Sequence, residues 1–185
     1  MTPRDAAGLV LLRHEGLRAP EVLLGRRSQA MVFMPGYYVF PGGRVDSGEE
    51  PSEAAPGRPL PPGIDEATLA LLPSLRAAAL RELEEETGFR VPSAQRGHLH
   101  PLARAITPPG NPRRFDTRFF LLLEPRLEGS PSGDGELEDV GWLAVDQLSD
   151  LPVANITARV LREALAFLEN PEHPFQLVTD ARSLG

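Results

Sequence analysis

The sequence predicts a layered α/β domain, and three observations lead to this prediction. Short apolar runs bounded by turn residues, which are typical of strands, recur along most of the chain. Two longer segments with helical features lie between groups of these runs. With 17 glycines and 20 prolines among 185 residues, long loops are expected between the elements. We expect a single domain over residues 1–185, because this length suits one compact unit.

The strand pattern is shared by six segments, residues 6–13, 21–27, 37–40, 99–106, 115–123 and 140–145. The first two are close enough in sequence to form a hairpin. The third ends at Pro41-Gly42-Gly43, which we interpret as a turn. In the strongly apolar fifth segment, alternation places Arg114, Asp116 and Arg118 on one face.

The two main predicted helices are residues 74–87 and residues 155–169. Ser74 is the expected N-cap of the first helix, and Gly88 the expected left-handed residue after its end. Asn155 is the expected cap of the second helix. Both helices are long enough to cover a sheet, which favours a layered arrangement.

Two regions have weaker patterns. Residues 50–73 are interpreted as a long loop insertion, in which residues 65–72 form a short helix and Pro73 either ends it or begins the next helix. Residues 171–185 form a tail with little pattern. A lid, a homodimer contact and a disordered loop are alternative roles for the insertion.

The composition excludes several classes of protein. A formal charge of -7 argues against sequence-independent binding of duplex nucleic acid. The absence of cysteine excludes disulfides, thiol catalysis and cysteine zinc sites, and it suits the cytoplasm. No apolar run reaches the roughly 20 residues that span a membrane. The four histidines are scattered and are interpreted as surface residues.

The end of the first helix carries an unusual group of carboxylates. Glu82 precedes Glu85 and Glu86 by three and four residues, so the three share a helix face where each like-charge pair costs roughly 0.2–0.5 kcal/mol. They also lie next to the negative end of the helix dipole. A divalent cation bound by oxygen, Mg²⁺ or Mn²⁺, would offset this repulsion. The alternative is a solvated acidic surface on which an ion pair between Arg81 and Glu85 reduces the repulsion between the carboxylates.

Taken with the glycine turn, this acidic helix end resembles the Nudix signature. Gly43 and Glu49 match its first half. Its second half matches Arg81, Glu82, Leu83, Glu85, Glu86, Gly88 and Phe89. Residues 50–80 replace a short spacer, so about 24 residues are inserted, which costs little because loop-closure entropy grows slowly with length.

The resemblance implies a fold, a cofactor and catalytic residues. The Nudix fold is an α/β/α sandwich with a mixed sheet, and its members hydrolyse a nucleoside diphosphate linked to another group. Glu82, Glu85 and Glu86 are the implied catalytic metal ligands for Mg²⁺ or Mn²⁺, with the Gly43 carbonyl as an addition. Family members often use a further acid before a tryptophan-bearing strand, which here makes Glu136 or Glu138, upstream of Trp142, the accessory ligand or base.

The sequence before the signature is similar to that of the coenzyme A diphosphatases of this family, including the branch with an interrupted signature. The similar residues are Leu23, Leu24, Arg27, Ser28, Gly36, Phe40, Pro41, Gly42 and Gly43. Two positions differ, because Gly25 replaces a threonine and Val32 an arginine. The implied reaction cleaves coenzyme A or an acyl derivative to 3′,5′-ADP and a phosphopantetheine.

Guanidinium groups and backbone amides are expected to bind the substrate phosphates. The candidate residues are Arg27, Ser28, Gly42, Gly43, Arg114 and Arg118. For Arg114 and Arg118, an equal alternative is that they lie on a solvent-exposed face of the strand and do not contact substrate. The rival activities are hydrolysis of ADP-ribose, NADH or a nucleotide sugar, and a non-catalytic module that senses a nucleotide.

Overall fold

The structure is a computed structural model, and it describes residues 2–51 and 57–179. Part of the predicted insertion, residues 52–56, and the end of the predicted tail, residues 180–185, lie outside the described residues. Within the described ranges, no helix combines the length and the hydrophobicity needed to cross a bilayer.

The described chain contains ten strands and three α-helices. The strands are β1 (Arg4–Arg13), β2 (Glu21–Arg27), β3 (Tyr38–Val39), β4 (Gly42–Arg44), β5 (Phe89–Arg90), β6 (His100–Ile106), β7 (Phe115–Leu123), β8 (Glu128–Gly129), β9 (Leu137–Ala144) and β10 (Gln176–Val178). The helices are α1 (Glu66–Thr87), α2 (Ser93–Arg96) and α3 (Asn155–Glu169), and a 3₁₀ turn covers Val145–Asp150.

Eight strands form one mixed sheet in the order β10-β6-β7-β1-β2-β3, with β4 paired to β1 and β9 paired to β2. The β1–β7 and β10–β6 pairs are parallel, and the other pairs are antiparallel. The predicted hairpin of β1 and β2 is confirmed. The short strands β5 and β8 form a separate antiparallel pair.

The sheet is covered on both faces, which explains why β1 is almost continuously apolar. Leu9 and Leu11 pack against α1 on one face. Val10 and Leu12 pack against α3 on the other face. The predicted α/β/α sandwich with a mixed sheet is therefore confirmed.

The first long helix begins earlier than predicted. It runs from Glu66, because Asp65 caps it by accepting a hydrogen bond from the Thr68 N–H at 2.8 Å. Pro73 lies inside the helix rather than at a boundary. A proline there removes one helical hydrogen bond, and burial of Leu72 and Leu75 against the sheet compensates. The last part of the predicted loop insertion is thus helical.

Two further expectations are wrong for reasons of long-range pairing. The glycines predicted as a turn belong to β4, where Gly42 and Gly43 pair with Gly8 and Ala7 of β1. The predicted tail contains β10, which adds to β6 as a parallel edge strand. Neither contact is encoded in a local pattern, because each joins distant parts of the chain.

Arg118 is a buried element of the fold. Its side chain is 2% exposed and lies between β7, β1 and α1, where it contacts Asp5, Asp116 and Thr68. Asp116 is also bound by Arg104 at 2.6 Å. These contacts tie the start of α1 to the sheet.

Arg118→Met is expected to destabilise the protein by about 2–3 kcal/mol, because the carboxylates around it lose a buried counterion. The measurement is the free energy of unfolding in urea. Arg113→Met, at an exposed position, serves as the control and should change stability by less than about 0.5 kcal/mol. Equal unfolding midpoints for the two variants would contradict the structural role of Arg118.

Candidate active site

The carboxyl end of α1 is held by backbone groups rather than by cationic side chains. Gly88 ends the helix in the left-handed conformation, with φ of 77°. In the 130–135 loop, the N–H groups of Ser132 and Asp134 donate to the carbonyls of Thr87 and Glu85 at 3.0 and 2.9 Å. The last turn of α1 contains no basic residue. The acidic side chains therefore lie beside a negative helix end without a local cation in that turn.

Glu86 is the most buried carboxylate at this end of the helix, with 2% of the residue exposed. Its Oε2 accepts a hydrogen bond of 2.8 Å from the Gly42 N–H of β4. Burial raises the pKa of Glu86 to about 8, with the neighbouring charges of Glu82 and Glu136 adding to it, while the Gly42 hydrogen bond and Arg27 oppose it. The site thus holds a carboxyl group that is short of positive charge.

Glu82 lies against the glycine strand. A Cβ on Gly43 would come within 2.3 Å of the Glu82 Oε1, so glycine at this position leaves room for the carboxylate. Burial raises the pKa of Glu82, and Glu85 and Glu136 add to this rise against the opposing effect of Arg81. Gly42 and Gly43 therefore bring the backbone of β4 into contact with Glu86 and Glu82.

Arg81 joins four carboxylates. Its guanidinium lies 3.1 Å from Glu49, 3.0 Å from Glu82, 3.0 Å from Glu85 and 3.7 Å from Asp46. The pair with Glu85 is the one that helical spacing indicated. Because the Glu49 side chain contacts Arg81 of α1, the two halves of the signature lie together in the structure despite the inserted residues.

The structure separates the two accessory acids. Glu136 lies close enough to Glu82 and Glu86 for its charge to raise the pKa of both. Glu138 instead forms an ion pair of 3.1 Å with Arg26. Of the two, Glu136 is the one that lies with the acidic side chains of α1.

The phosphate-binding candidates occupy different positions. Arg27 is close enough to Glu86 for its charge to lower that carboxyl's pKa, and the Ser28 N–H donates to the Glu136 carbonyl at 3.0 Å. Arg114 donates to the Thr107 carbonyl at 3.0 Å, beside the loop between β6 and β7. Arg118 is buried in the ion cluster described above, which argues for a structural role and against contact with substrate.

Two contacts of the site were missed from the sequence. The hydrogen bond from the Gly42 N–H to Glu86 depends on β4, whereas the sequence predicts a turn at this position. The Arg81 contact with Glu49 could have been inferred from the position of Glu49 in the signature, since that match already linked it to the helix.

The donor set fits a hard divalent cation. In the described part of the chain, no three His, Cys, Asp or Glu side chains already surround one point where an ion could sit. A cation would have to compete with Arg81 for Glu82 and Glu85. The donors are nonetheless carboxylate oxygens, which Mg²⁺ and Mn²⁺ prefer, and buried Glu86 would be stabilised in its ionised form by such a charge.

Comparison with known proteins identifies the family of this chain. A NUDIX hydrolase from Alicyclobacillus acidocaldarius is 30% identical, and the match covers 88% of this chain and 90% of that chain with a TM-score of 0.67. A family model for the NUDIX domain matches residues 73–164. The chain belongs to the Nudix hydrolase family.

Two more distant structures share the fold. A MutT NUDIX hydrolase from Burkholderia pseudomallei is 22% identical, with 88% of this chain and 98% of that chain covered and a TM-score of 0.58. The NUDIX domain of Shewanella oneidensis NrtR, solved with ADP ribose, is 19% identical, with 91% and 90% covered and a TM-score of 0.60. At these identities the likeness shows the fold alone.

Proposed function

We propose that the protein hydrolyses the diphosphate bond of a nucleoside diphosphate derivative, using Mg²⁺ or Mn²⁺ held by Glu82, Glu85 and Glu86. The observation that carries this proposal is the burial of Glu86 beside Glu82 and Glu136, which crowds carboxyl groups together next to the glycine strand. Such a site favours a divalent cation and, through it, the phosphate oxygens of a substrate.

The cation and the side chains have different roles in the proposed reaction. When bound, a divalent cation would supply charge to neutralise phosphate oxygens and would lower the pKa of a water molecule. Water adds its oxygen to one phosphorus, the P–O bond of the bridging oxygen breaks, and that oxygen leaves with the other phosphate. Glu136 is our candidate for the group that accepts the water's proton, because Glu138 is paired with Arg26.

Arg27 and Ser28 are proposed to position the diphosphate. Arg27 extends from the end of β2 close to Glu86, and its Nε donates to the Phe33 carbonyl at 2.7 Å. This bond orients the guanidinium while leaving its other donors for phosphate oxygens. Arg114 is proposed as a further contact with the substrate.

Coenzyme A or an acyl derivative is the proposed substrate. The motif that resembles coenzyme A diphosphatases runs from β2 to β4 and so includes both Arg27 and the glycine strand. The loop after Arg27 exposes Val32, Phe33 and Tyr37 to solvent. An apolar surface next to a phosphate site suits the pantetheine arm, which is less polar than a ribose or a sugar.

The substrate is tested by supplying coenzyme A, dephospho-coenzyme A, ADP-ribose, NADH and UDP-glucose with Mg²⁺ or Mn²⁺ and identifying products by mass spectrometry. Coenzyme A should give 3′,5′-ADP and phosphopantetheine and should be turned over fastest. Faster turnover of dephospho-coenzyme A and ADP-ribose would overturn the choice of coenzyme A. Metal binding without hydrolysis of any compound would favour a nucleotide sensor.

Gly43→Ala is expected to lower kcat by about 100-fold, because the new methyl group displaces the Glu82 carboxylate by a large fraction of an ångström or more. The measurement is steady-state turnover of the preferred substrate at saturating Mg²⁺. Gly141→Ala in β9 is the matched control, since nothing lies within 4 Å of its new Cβ. Turnover of Gly43→Ala equal to that of the control would contradict the position assigned to Glu82.

A further inference from the structure

A cavity of about 160 Å³ lies where β6 begins, against the end of β7 and α3. Its apolar walls include Leu121 and Phe167, and its polar lining includes Arg58, His98 and His100. In the sheet, β7 and β1 lie between β6 and β4. The cavity is therefore separate from the acidic side chains around Gly42.

His100 is the unusual residue of this cavity, because it is a polar side chain that is only 6% exposed. Both ring nitrogens are buried, and neither has a hydrogen-bond partner among the residues that the structure describes. Burial lowers the pKa of His100 to about 4, and Arg58 and Arg76 lower it further, so the ring is neutral at pH 7. A neutral imidazole has one N–H donor and one acceptor. A buried N–H without a partner is costly, and an acceptor atom of a ligand would supply that partner.

The charge around His100 is positive. The Arg58 guanidinium lies over the Phe167 ring, 5.1 Å from its centroid, and the His100 ring is 4.6 Å from the same centroid. Phe167 thus holds the guanidinium and the imidazole on one aromatic platform. Arg76 adds a second positive charge, and both charges that shift the His100 pKa are cationic.

We propose that this cavity binds a small oxyanion, a phosphate or carboxylate group, through Arg58 and His100. The guanidinium supplies paired donors that match two oxygens of such a group. His100, which lines the cavity and whose N–H has no partner among the described residues, is the proposed third donor.

The volume of the cavity suits a small ligand. A cavity of about 150 Å³ holds a molecule as large as benzene, so about 160 Å³ is enough for phosphate or a small carboxylic acid. The site is distinct from the proposed substrate site in place, because β7 and β1 lie between β6 and β4.

The test is a titration of metal-free protein with inorganic phosphate and, separately, with acetate, at an ionic strength fixed with chloride. The readout is the NMR signal of the His100 ring, which reports on the cavity in the unmodified protein. We expect a saturable shift with at least one of the two oxyanions. Arg58→Met should weaken the affinity at least about tenfold. Arg90→Met, which removes an exposed arginine outside the cavity, should leave the affinity unchanged.

Each outcome decides the proposal. Saturable binding of phosphate or of acetate that depends on Arg58 supports the site and identifies which oxyanion it prefers. Binding that persists in Glu86→Gln also supports it, because the proposed catalytic site is then excluded as the source. A His100 signal unchanged by either oxyanion at tens of millimolar, or affinities equal in Arg58→Met and the unmodified protein, would overturn it.

Discussion

Glu86→Gln is expected to lower kcat by at least about a thousandfold while leaving the protein folded. The amide oxygen can still accept the hydrogen bond from the Gly42 N–H, so the contact between α1 and β4 is kept. What is removed is the negative charge that would bind the cation and, through it, the substrate phosphates. Steady-state turnover at saturating Mg²⁺ measures the effect.

Glu84→Gln provides the control for this variant. Glu84 belongs to the same helix turn, but its side chain is exposed and lies 3.7 Å from Arg90 rather than beside the glycine strand. The same chemical change there should leave kcat within about twofold, because exposed ion pairs contribute little. Similar losses in both variants would indicate a general effect of charge at the helix end and would contradict the role assigned to Glu86.

The second large effect is a loss of stability with rising pH in the metal-free protein. Because the folded pKa of Glu86 is about 8 and its unfolded value is about 4.5, the folded state retains a proton that the unfolded state releases. Stability falls as pH rises from about 4.5 to about 8, by on the order of 5 kcal/mol from this group. Urea unfolding at a series of pH values measures it.

The difference in stability between Glu86→Gln and the unmodified protein isolates the contribution of Glu86 from that of other groups. His100, whose folded pKa is about 4, acts in the opposite direction, because its contribution to stability is lost as pH falls from about 6.5 to about 4. Glu86→Gln should therefore become more stable than the unmodified protein as pH rises toward 8. Parallel pH profiles for the two proteins would show that the buried carboxyl group of Glu86 does not retain a proton in the folded state.

Much of the sheet could be predicted from the sequence because its strands have strong local patterns. The prediction of β2 matches its structural bounds, and β7 and α3 were also found at their observed positions. In contrast, β10 has three residues and forms only by pairing with β6, so it lacks a local signal. The start of α1 was missed because Pro73 is a helix breaker by local rules, whereas burial of neighbouring leucines sustains the helix.

The candidate site was predictable where its residues lie close together in sequence. Helical spacing alone placed Glu82, Glu85 and Glu86 on one face. Strand alternation correctly grouped Arg118 with Asp116, but it could not show that this face is buried beneath α1. His100 was interpreted as a surface residue, although the packing of α3 buries it. Burial of polar side chains depends on distant elements, which a local pattern does not report.

The central claim is that the carboxylates at the end of α1 bind a divalent cation, and calorimetric titration with Mn²⁺ tests it most directly. The unmodified protein and Glu84→Gln should bind Mn²⁺ with the same affinity. In both proteins, binding should produce a measurable heat change. Glu86→Gln should bind at least about tenfold more weakly, since it loses a charged oxygen ligand. Undetectable Mn²⁺ binding in the unmodified protein, or the same affinity in Glu86→Gln, would contradict the claim.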